Sequence, residues 1–594
     1  MPPKNASFRT DAETASVRQR TDRFVCHAIE PAQRSPCRIA GGRDLAHCVE
    51  CLRLKSLVPS RPVIGSIPLS ALVSVYLLVA TNLTFWSRAS TYFGTAKLGL
   101  LSFGLGISVL VFVALTAVSV KYLFKPVLIL FILVSGVCSY FADTFGVIVD
   151  KEMVESAVVT TTAEAGHLIT PRFLLHVLFL AVLPALFVLW VEVRHRPFLS
   201  KVLHNLGVIV PSLALVVALA SLNFASIAYV IRDHKDMMKL FNPTGPISAA
   251  VRYGSSVYED ANLVVAPFGM DAHAGDRLVT SKKPVVVVVV AGETARAMNF
   301  SLNGYARETN PELKALGVVN FTRTTSCGTA TSVSLPCMFS GYTRDEYSEW
   351  KAHSRQNLVD VLTHAGVSVS WWDNNTGSKG IANLINYASL NDRKNSPLCK
   401  GGECLDAIFL DGLDQRLATV KKDTVIVLHQ LGSHGPAYYL RYPEDYRKFR
   451  PDCRTPELMN CSQQEIVNAY DNTILYTDHI LASVAKLLEK HETTVAGAMI
   501  YMSDHGESLG ENGVYLHGAP YAIAPKEQTH VPFIAWFSKS YQSIMGLDTR
   551  CLLQYSDAAT SHDNLFHTVL GMMNIQTGVY NRGLDAFAAC SVAG

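Results

Sequence analysis

At 594 residues the chain is too long for one hydrophobic core, so at least two domains are expected. Its mean hydropathy of +0.21, with 49% hydrophobic residues, is high for a soluble protein. A net charge of +3 without a dense basic stripe gives no nucleic-acid-binding footprint.

In chain order, residues 1–60 come first, with ten Lys or Arg against six Asp or Glu and no periodicity. They read as a disordered cytoplasmic tail. Cys48-Val-Glu-Cys51, with Cys26, Cys37, His27 and His47, has the residue types of a zinc site, but the irregular spacing and single CxxC argue against one. Residues 61–232 then hold five apolar stretches long enough to span a bilayer, near Val63–Trp86, Leu98–Val120, Val127–Val149, Phe173–Val191 and Leu206–Val230. Asp143 interrupts the third. The first begins too far from Met1 for a signal peptide. Arg53, Lys55 and Arg61 precede it, Lys121 and Lys125 follow the second, and Arg194, Arg196 and Lys201 follow the fourth. The loop after the third is acidic, with Asp150, Glu152, Glu155 and Glu164. Alternate loops are therefore basic, which places the N-terminus inside and everything after the fifth span outside. Residues 233–282 read as a linker with interfacial helices: Phe241-Asn-Pro-Thr-Gly-Pro246 breaks the chain and Ile247–Tyr258 fits a short surface helix.

Residues 283–594 read as a globular catalytic domain. Lys283-Pro-Val-Val-Val-Val-Val-Val-Ala291 is β-branched without alternation, as a strand buried on both faces requires. Three more such runs, at Val367–Trp372, Thr424–Leu428 and Ala498–Met502, also end in polar clusters. Helical patterns such as Gln356–Ala365 and Glu465–Lys490 lie between them. This alternation predicts a doubly wound α/β sheet, with ligands at the carboxyl ends of its strands. Glu293, Asp504, His505, His434 and His517 would then meet at one sheet edge, and carboxylates with imidazoles suit zinc. Eight of the thirteen cysteines follow the last span, and the first six of these fall in three close pairs, which argues for disulfides and an oxidising compartment. Cys327-Gly-Thr-Ala-Thr331-Ser-Val-Ser-Leu-Pro-Cys337 supplies hydroxyl nucleophiles, and Thr329, Thr331, Ser332 and Ser334 all qualify.

The segments Ala291-Gly-Glu-Thr-Ala-Arg296, Asn303-Gly-Tyr305, Ser326-Cys-Gly-Thr-Ala-Thr331, Pro336-Cys-Met-Phe-Ser340, Asp373-Asn-Asn375, Gly432-Ser-His-Gly-Pro436, Ser503-Asp-His-Gly-Glu507 and Tyr515-Leu-His-Gly518 together resemble the phosphoethanolamine transferases. That family includes the lipid A enzymes and the mobile colistin-resistance proteins, within the alkaline phosphatase and sulfatase superfamily. The resemblance implies a bacterial inner-membrane enzyme with a periplasmic catalytic domain, acting as a monomer. It implies Thr331 as a nucleophile that becomes phosphoethanolamine-bearing, and Glu293, Asp504 and His505 with Thr331 as ligands of one zinc. His434 and His517 would bind the transferred group or a second zinc, with Lys379 near the phosphate. Ser156, Thr160 and Glu164 match the family's donor-site segment, although Asn is usual where Ser156 stands. Cys327–Cys337, Cys399–Cys404 and Cys453–Cys461 match family disulfides, and Cys551 with Cys590 would form a fourth. The implied reaction moves phosphoethanolamine from phosphatidylethanolamine to lipid A, masking charge that polymyxin-like cationic peptides bind. Lipopolysaccharide core sugars or periplasmic glucans are alternative acceptors. A sulfatase-like hydrolase and a receptor with a dead enzyme domain are the rival readings; the first lacks a Cys-x-Pro-x-Arg motif, and the second predicts lost ligands.

Overall fold

The computed structural model describes residues 61–591 other than 261, 262, 392, 394 and 395. The tail at 1–60, with Cys48 and Cys51, lies outside the described residues. Among the described residues, four helices are long and apolar enough to cross a membrane: α3 (Lys97–Ala117), α4 (Phe124–Phe145), α7 (Pro171–Trp190) and α8 (Phe198–Leu222). A fifth span exists only if α1 (Ser66–Ala80) and α2 (Leu83–Phe93) are counted together, and these are bent by 69° at the break. The first expected span, near Val63–Trp86, is therefore formed by a bent pair of helices. At about 1.5 Å per residue, α1 alone falls short of the roughly 30 Å hydrocarbon thickness.

The bend is held by a long-range contact. Asn82 Nδ2 donates to the Leu77 carbonyl at 2.9 Å and to the Asn242 carbonyl at 3.0 Å, while its Oδ1 accepts from the Asn242 amide at 2.8 Å. Both asparagines are buried, so these bonds fix the break against a residue of the linker. Asp143 has a structural task as well: its carboxylate accepts from the Thr84 amide at 3.1 Å, in the first turn of α2. Two short helices follow α4, namely α5 (Lys151–Val159) and α6 (Thr162–Leu168), capped by Asp150 and Thr161. After α8 come α9 (Phe224–Asp233) and α10 (Thr244–Asp260). The last begins inside the predicted breaker cluster, because Pro246 falls in its first turn, where a missing N–H breaks no helical bond.

The sheet has eight strands: β1 (Val285–Gly292), β2 (Val319–Thr325), β3 (Ser368–Asp373), β4 (Asn386–Ser389), β5 (Thr424–His429), β6 (Ala496–Ser503), β7 (His530–Phe537) and β8 (Ala559–Ser561). Their order is β8-β2-β7-β6-β1-β5-β3-β4. Only β7 runs against the others, pairing antiparallel with β6 and β2, so the sheet is mixed. The valine run of β1 explains its own lack of alternation. Val285, Val287 and Val289 join the core on one face, and Val286, Val288 and Val290 join the core on the other. The long helix α12 (Gln463–Lys490) covers the second face, started by a Ser462–Glu465 capping box. Membrane helices and sheet belong to one compact unit, Pro62–Gly594.

Candidate active site and metal centre

Seven strands point one way, so their carboxyl ends deliver side chains to a common edge. The end of β1 presents Glu293, that of β6 presents Asp504 and His505, and that of β3 leads into Asn375. His434 follows β5 by five residues, and the turn after β2 leads to Thr331, first residue of α11 (Thr331–Ser340). A Cys327–Cys337 disulfide ties that turn to the helix it starts. The structure also joins Cys399 to Cys404, Cys453 to Cys461 and Cys551 to Cys590.

Glu293, Asp504 and His505 are at most 1% exposed, and one ligand atom from each lies within 4.8 Å of the others. His505 Nε2 is 3.3 Å from Asp504 Oδ2 and 3.5 Å from Glu293 Oε1. Its Nδ1 lies 2.9 Å from the Gly506 carbonyl, which can only accept, so a neutral ring carries its proton there. The Nε2 lone pair then faces two carboxylates. Asp504 Oδ2 has no hydrogen-bond partner among the described residues, although it is buried. A bound cation would satisfy both the orphaned carboxylate oxygen and the imidazole lone pair beside it, so these residues fit a metal ion. The electrostatics agree. Burial and the neighbouring Glu293 push Asp504 above the usual carboxylate range, while the surrounding imidazoles outweigh burial to hold Glu293 below it. Two carboxylates this close cannot both ionise easily without added positive charge.

Thr331 Oγ1 donates to Glu293 Oε2 at 3.0 Å and lies 3.3 Å from His505 Nε2. The other hydroxyls of its segment are placed differently. Thr329 Oγ1 donates to the Ala519 carbonyl at 2.6 Å, and the Ser332 and Ser334 side chains are buried. Thr331 alone of the four therefore bonds the cluster. Asn375 Nδ2 donates to Glu293 Oε2 at 2.7 Å and to the Gln430 carbonyl at 2.8 Å, fixing the carboxylate. Backbone strain gathers here too: Thr294 and Lys379 hold φ of 58° and 50° in the left-handed region.

His517 lies beside His505, with ring centroids 4.4 Å apart, and its Nδ1 is 2.9 Å from Glu507 Oε2. Tyr438 donates to the other oxygen of that buried glutamate at 2.6 Å. Burial opposes charge on His517, but Glu507 and then Glu293 and Asp504 overcome it, raising its pKa to about 9. A divalent cation in the cluster would cancel part of that pull. His434 Nε2 is 3.2 Å from Glu164 Oε1, on α6. Lys379 donates to Thr376, and burial lowers its pKa despite Glu293 and Glu155.

A cavity of about 420 Å³ opens beside the cluster. Thr331, Asn375, Lys379, His434 and His517 line its polar wall; Val137, Phe141, Phe145 and Met153 line an apolar wall supplied by α4 and α5. Ser156, Thr160 and Glu164 lie on this second side. Asn375 and Glu507 had no assigned role in the sequence, though each stood in a polar cluster just beyond a strand.

An α/β sheet of this topology, bearing such a cluster at its carboxyl edge and mounted on membrane helices, defines a membrane-anchored enzyme with a sulfatase-like domain. Residues 285–575 match the sulfatase family model, and residues 107–258 match that of phosphoethanolamine transferase EptA/EptB. Phosphoethanolamine transferase EptA of Salmonella typhimurium is 38% identical over 536 residues, covering 89% of this chain and 98% of that one. Phosphatidylethanolamine transferase Mcr-1 of Escherichia coli is 40% identical over 524 residues, covering 85% and 94%. The integral membrane lipooligosaccharide phosphoethanolamine transferase A of Neisseria meningitidis superposes with a TM-score of 0.86 at 37% identity, over 90% of this chain and all of that one. The chain belongs to the phosphoethanolamine transferase family, as a bacterial inner-membrane protein with its soluble domain in the periplasm.

Proposed function

We propose that the protein transfers phosphoethanolamine from phosphatidylethanolamine to a lipid A phosphate, through a phospho-threonine at Thr331. The observation that carries this reading is the two-sided cavity: acyl-compatible walls from the membrane half meet the Thr331 hydroxyl, two imidazoles and a lysine from the soluble half. A phospholipid has that division of chemistry; a soluble sulfate ester does not. Glu293, Asp504 and His505, with the Thr331 oxygen, would hold zinc, and a zinc ion there supplies charge that lowers the pKa of the Thr331 hydroxyl and offsets the phosphoryl charge.

In the first step Thr331 Oγ1 forms a bond to phosphorus, and the bond from phosphorus to the diacylglycerol oxygen breaks. The hydroxyl proton leaves toward the cluster side, and the diacylglycerol oxygen takes one up from the cavity. His434 and His517 are the proton-exchanging groups there, with Glu507 orienting His517. Lys379 offers positive charge to the phosphate, and Glu164, beside His434, offers a carboxylate to the ethanolamine ammonium. In the second step an acceptor phosphate oxygen attacks the same phosphorus, and Thr331 leaves and regains its proton.

The test compares wild type, Thr331→Ala and Thr329→Ala in cells and as full-length protein. Lipid A mass spectrometry should show the added group with wild type and Thr329→Ala and lose it with Thr331→Ala. Intact-protein spectra should show the covalent adduct only where Thr331 is present. Addition to core sugars in place of lipid A would refute the acceptor, and full activity after exhaustive chelation would refute zinc.

A further inference from the structure

One charged chain outside the cluster runs from the membrane half into the polar wall of the cavity. The hairpin Cys399–Lys400 and Glu403–Cys404 is closed by a disulfide and turns through Gly401 and Gly402, both in the left-handed region with φ of 67° and 93°. Its tip abuts α6, since a Cβ on Gly402 would lie 3.2 Å from that of Ala163. Glu403, next to the turn, takes Arg441 in a two-pronged pair, Nη1 to Oε2 at 2.7 Å and Nη2 to Oε1 at 3.0 Å. His167 of α6 reaches the same Oε2 at 3.1 Å. Arg441, only 3% exposed, uses its remaining Nε to donate to the backbone carbonyl of His434 at 2.8 Å. The His434 ring closes the circuit on Glu164, three residues before His167 on the same helix.

Helix α6 thus grips His434 twice, by Glu164 on the ring and by His167 through Glu403 and Arg441 on the backbone. A helix of seven residues cannot hold its own position in water. A forked guanidinium pair shielded from solvent is strong and directional, unlike an exposed ion pair.

We infer that Glu403 and Arg441 are positioning residues that fix His434 and clamp α6 over the cavity, so that the donor-facing wall and the catalytic wall close as one piece. The role assigned to His434 rests on the proposed function; the clamping of α6 does not. Glu403 would lose only charge on becoming Gln, and Arg441→Lys would keep charge while losing the fork.

The test uses full-length protein in lipid nanodiscs. Hydrogen exchange of amides in 162–168 should rise about tenfold in Glu403→Gln and Arg441→Lys, because a local opening becomes cheaper. The donor KM should rise about tenfold with kcat falling far less, and Glu403→Asp should recover part of the loss. If Glu403→Gln does not fold, His167→Gln, at the accessible end of the chain, should still raise exchange in α6. Combining His167→Gln with Glu403→Gln should add little to the KM of Glu403→Gln alone. Exchange and KM within twofold of wild type in folded Glu403→Gln or His167→Gln would overturn the clamp. Raised exchange in a protein that transfers no phosphoethanolamine would keep the clamp and overturn the proposed function.

Discussion

Gly432 is the position at which a single methyl group should damage the candidate metal site without replacing any of its ligands. Its φ is +54°, and a Cβ there would lie 2.6 Å from the Glu293 carbonyl oxygen, 3.0 Å from Glu293 Cβ and 3.1 Å from Glu293 N. The neighbouring Ser433 amide already donates to that carbonyl at 3.0 Å, so the two segments cannot simply part. The obstacles are mainly backbone atoms, and no rotamer relieves them. Left-handed backbone costs an L-residue about 1–2 kcal/mol, and overpacking adds about 1–3 kcal/mol. Gly317→Ala separates these: Gly317 has φ of +64° with nothing within 4 Å of its Cβ, so it carries the first cost alone. At about 2 °C per kcal/mol for a large domain, Gly432→Ala should melt about 2–6 °C below Gly317→Ala. Because Glu293 must move, affinity for zinc, read by equilibration against a buffered metal series, should fall about tenfold or more in Gly432→Ala alone. Equal melting temperatures and equal zinc affinity in the two variants would refute the reasoning.

Asn375→Leu removes the amide that fixes Glu293 Oε2 and leaves the fold's core intact, so zinc affinity should drop about 10–100-fold, measured by the same metal series. His562 gives the pH dependence. It is buried, accepts from the Cys327 amide at Nδ1 (3.0 Å) and lies 2.9 Å from the Ser503 carbonyl at Nε2. Burial lowers its pKa to about 3, against an ordinary 6.5. The unfolded chain therefore binds a proton as pH falls through 6.5 while the folded chain does not, and stability is lost from there down to about pH 3. His562→Gln, which can also accept at one end and donate at the other, should flatten the melting profile between pH 6.5 and 4; an unchanged slope would remove His562 as its cause.

What was legible in the sequence was local. The valine run of β1 announced a strand buried on both faces because every residue in it had to be apolar, and the polar residues just past β1, β3 and β6 could only lie at the sheet's edge. Glu293, Asp504 and His505 were found for that reason. The direction of β7 was not legible, since His530-Val-Pro-Phe-Ile-Ala-Trp-Phe537 is apolar whichever way it runs. The bend after Ala80 was hidden because its cause, Asn242, is 160 residues from Asn82. Nothing in the residues around Glu403 marks it out; only the fold brings His167 and Arg441 to it.

These successes and failures divide along a functional line. Apart from His517, the groups proposed for the chemistry sit within a few residues of the sheet's strand ends, where one motif fixes both sequence and position. The wall that would meet the lipid is instead assembled from α4, α5 and α6, which join the strand-end residues only through long-range contacts such as Glu164 with His434. Motifs around the cluster therefore carry information about bond making and little about which lipids fit. Differences in donor or acceptor between proteins sharing the cluster should map to residues 137–168 and the surfaces facing them, and exchanging that stretch between two such proteins should move specificity while leaving the covalent step at Thr331 in place.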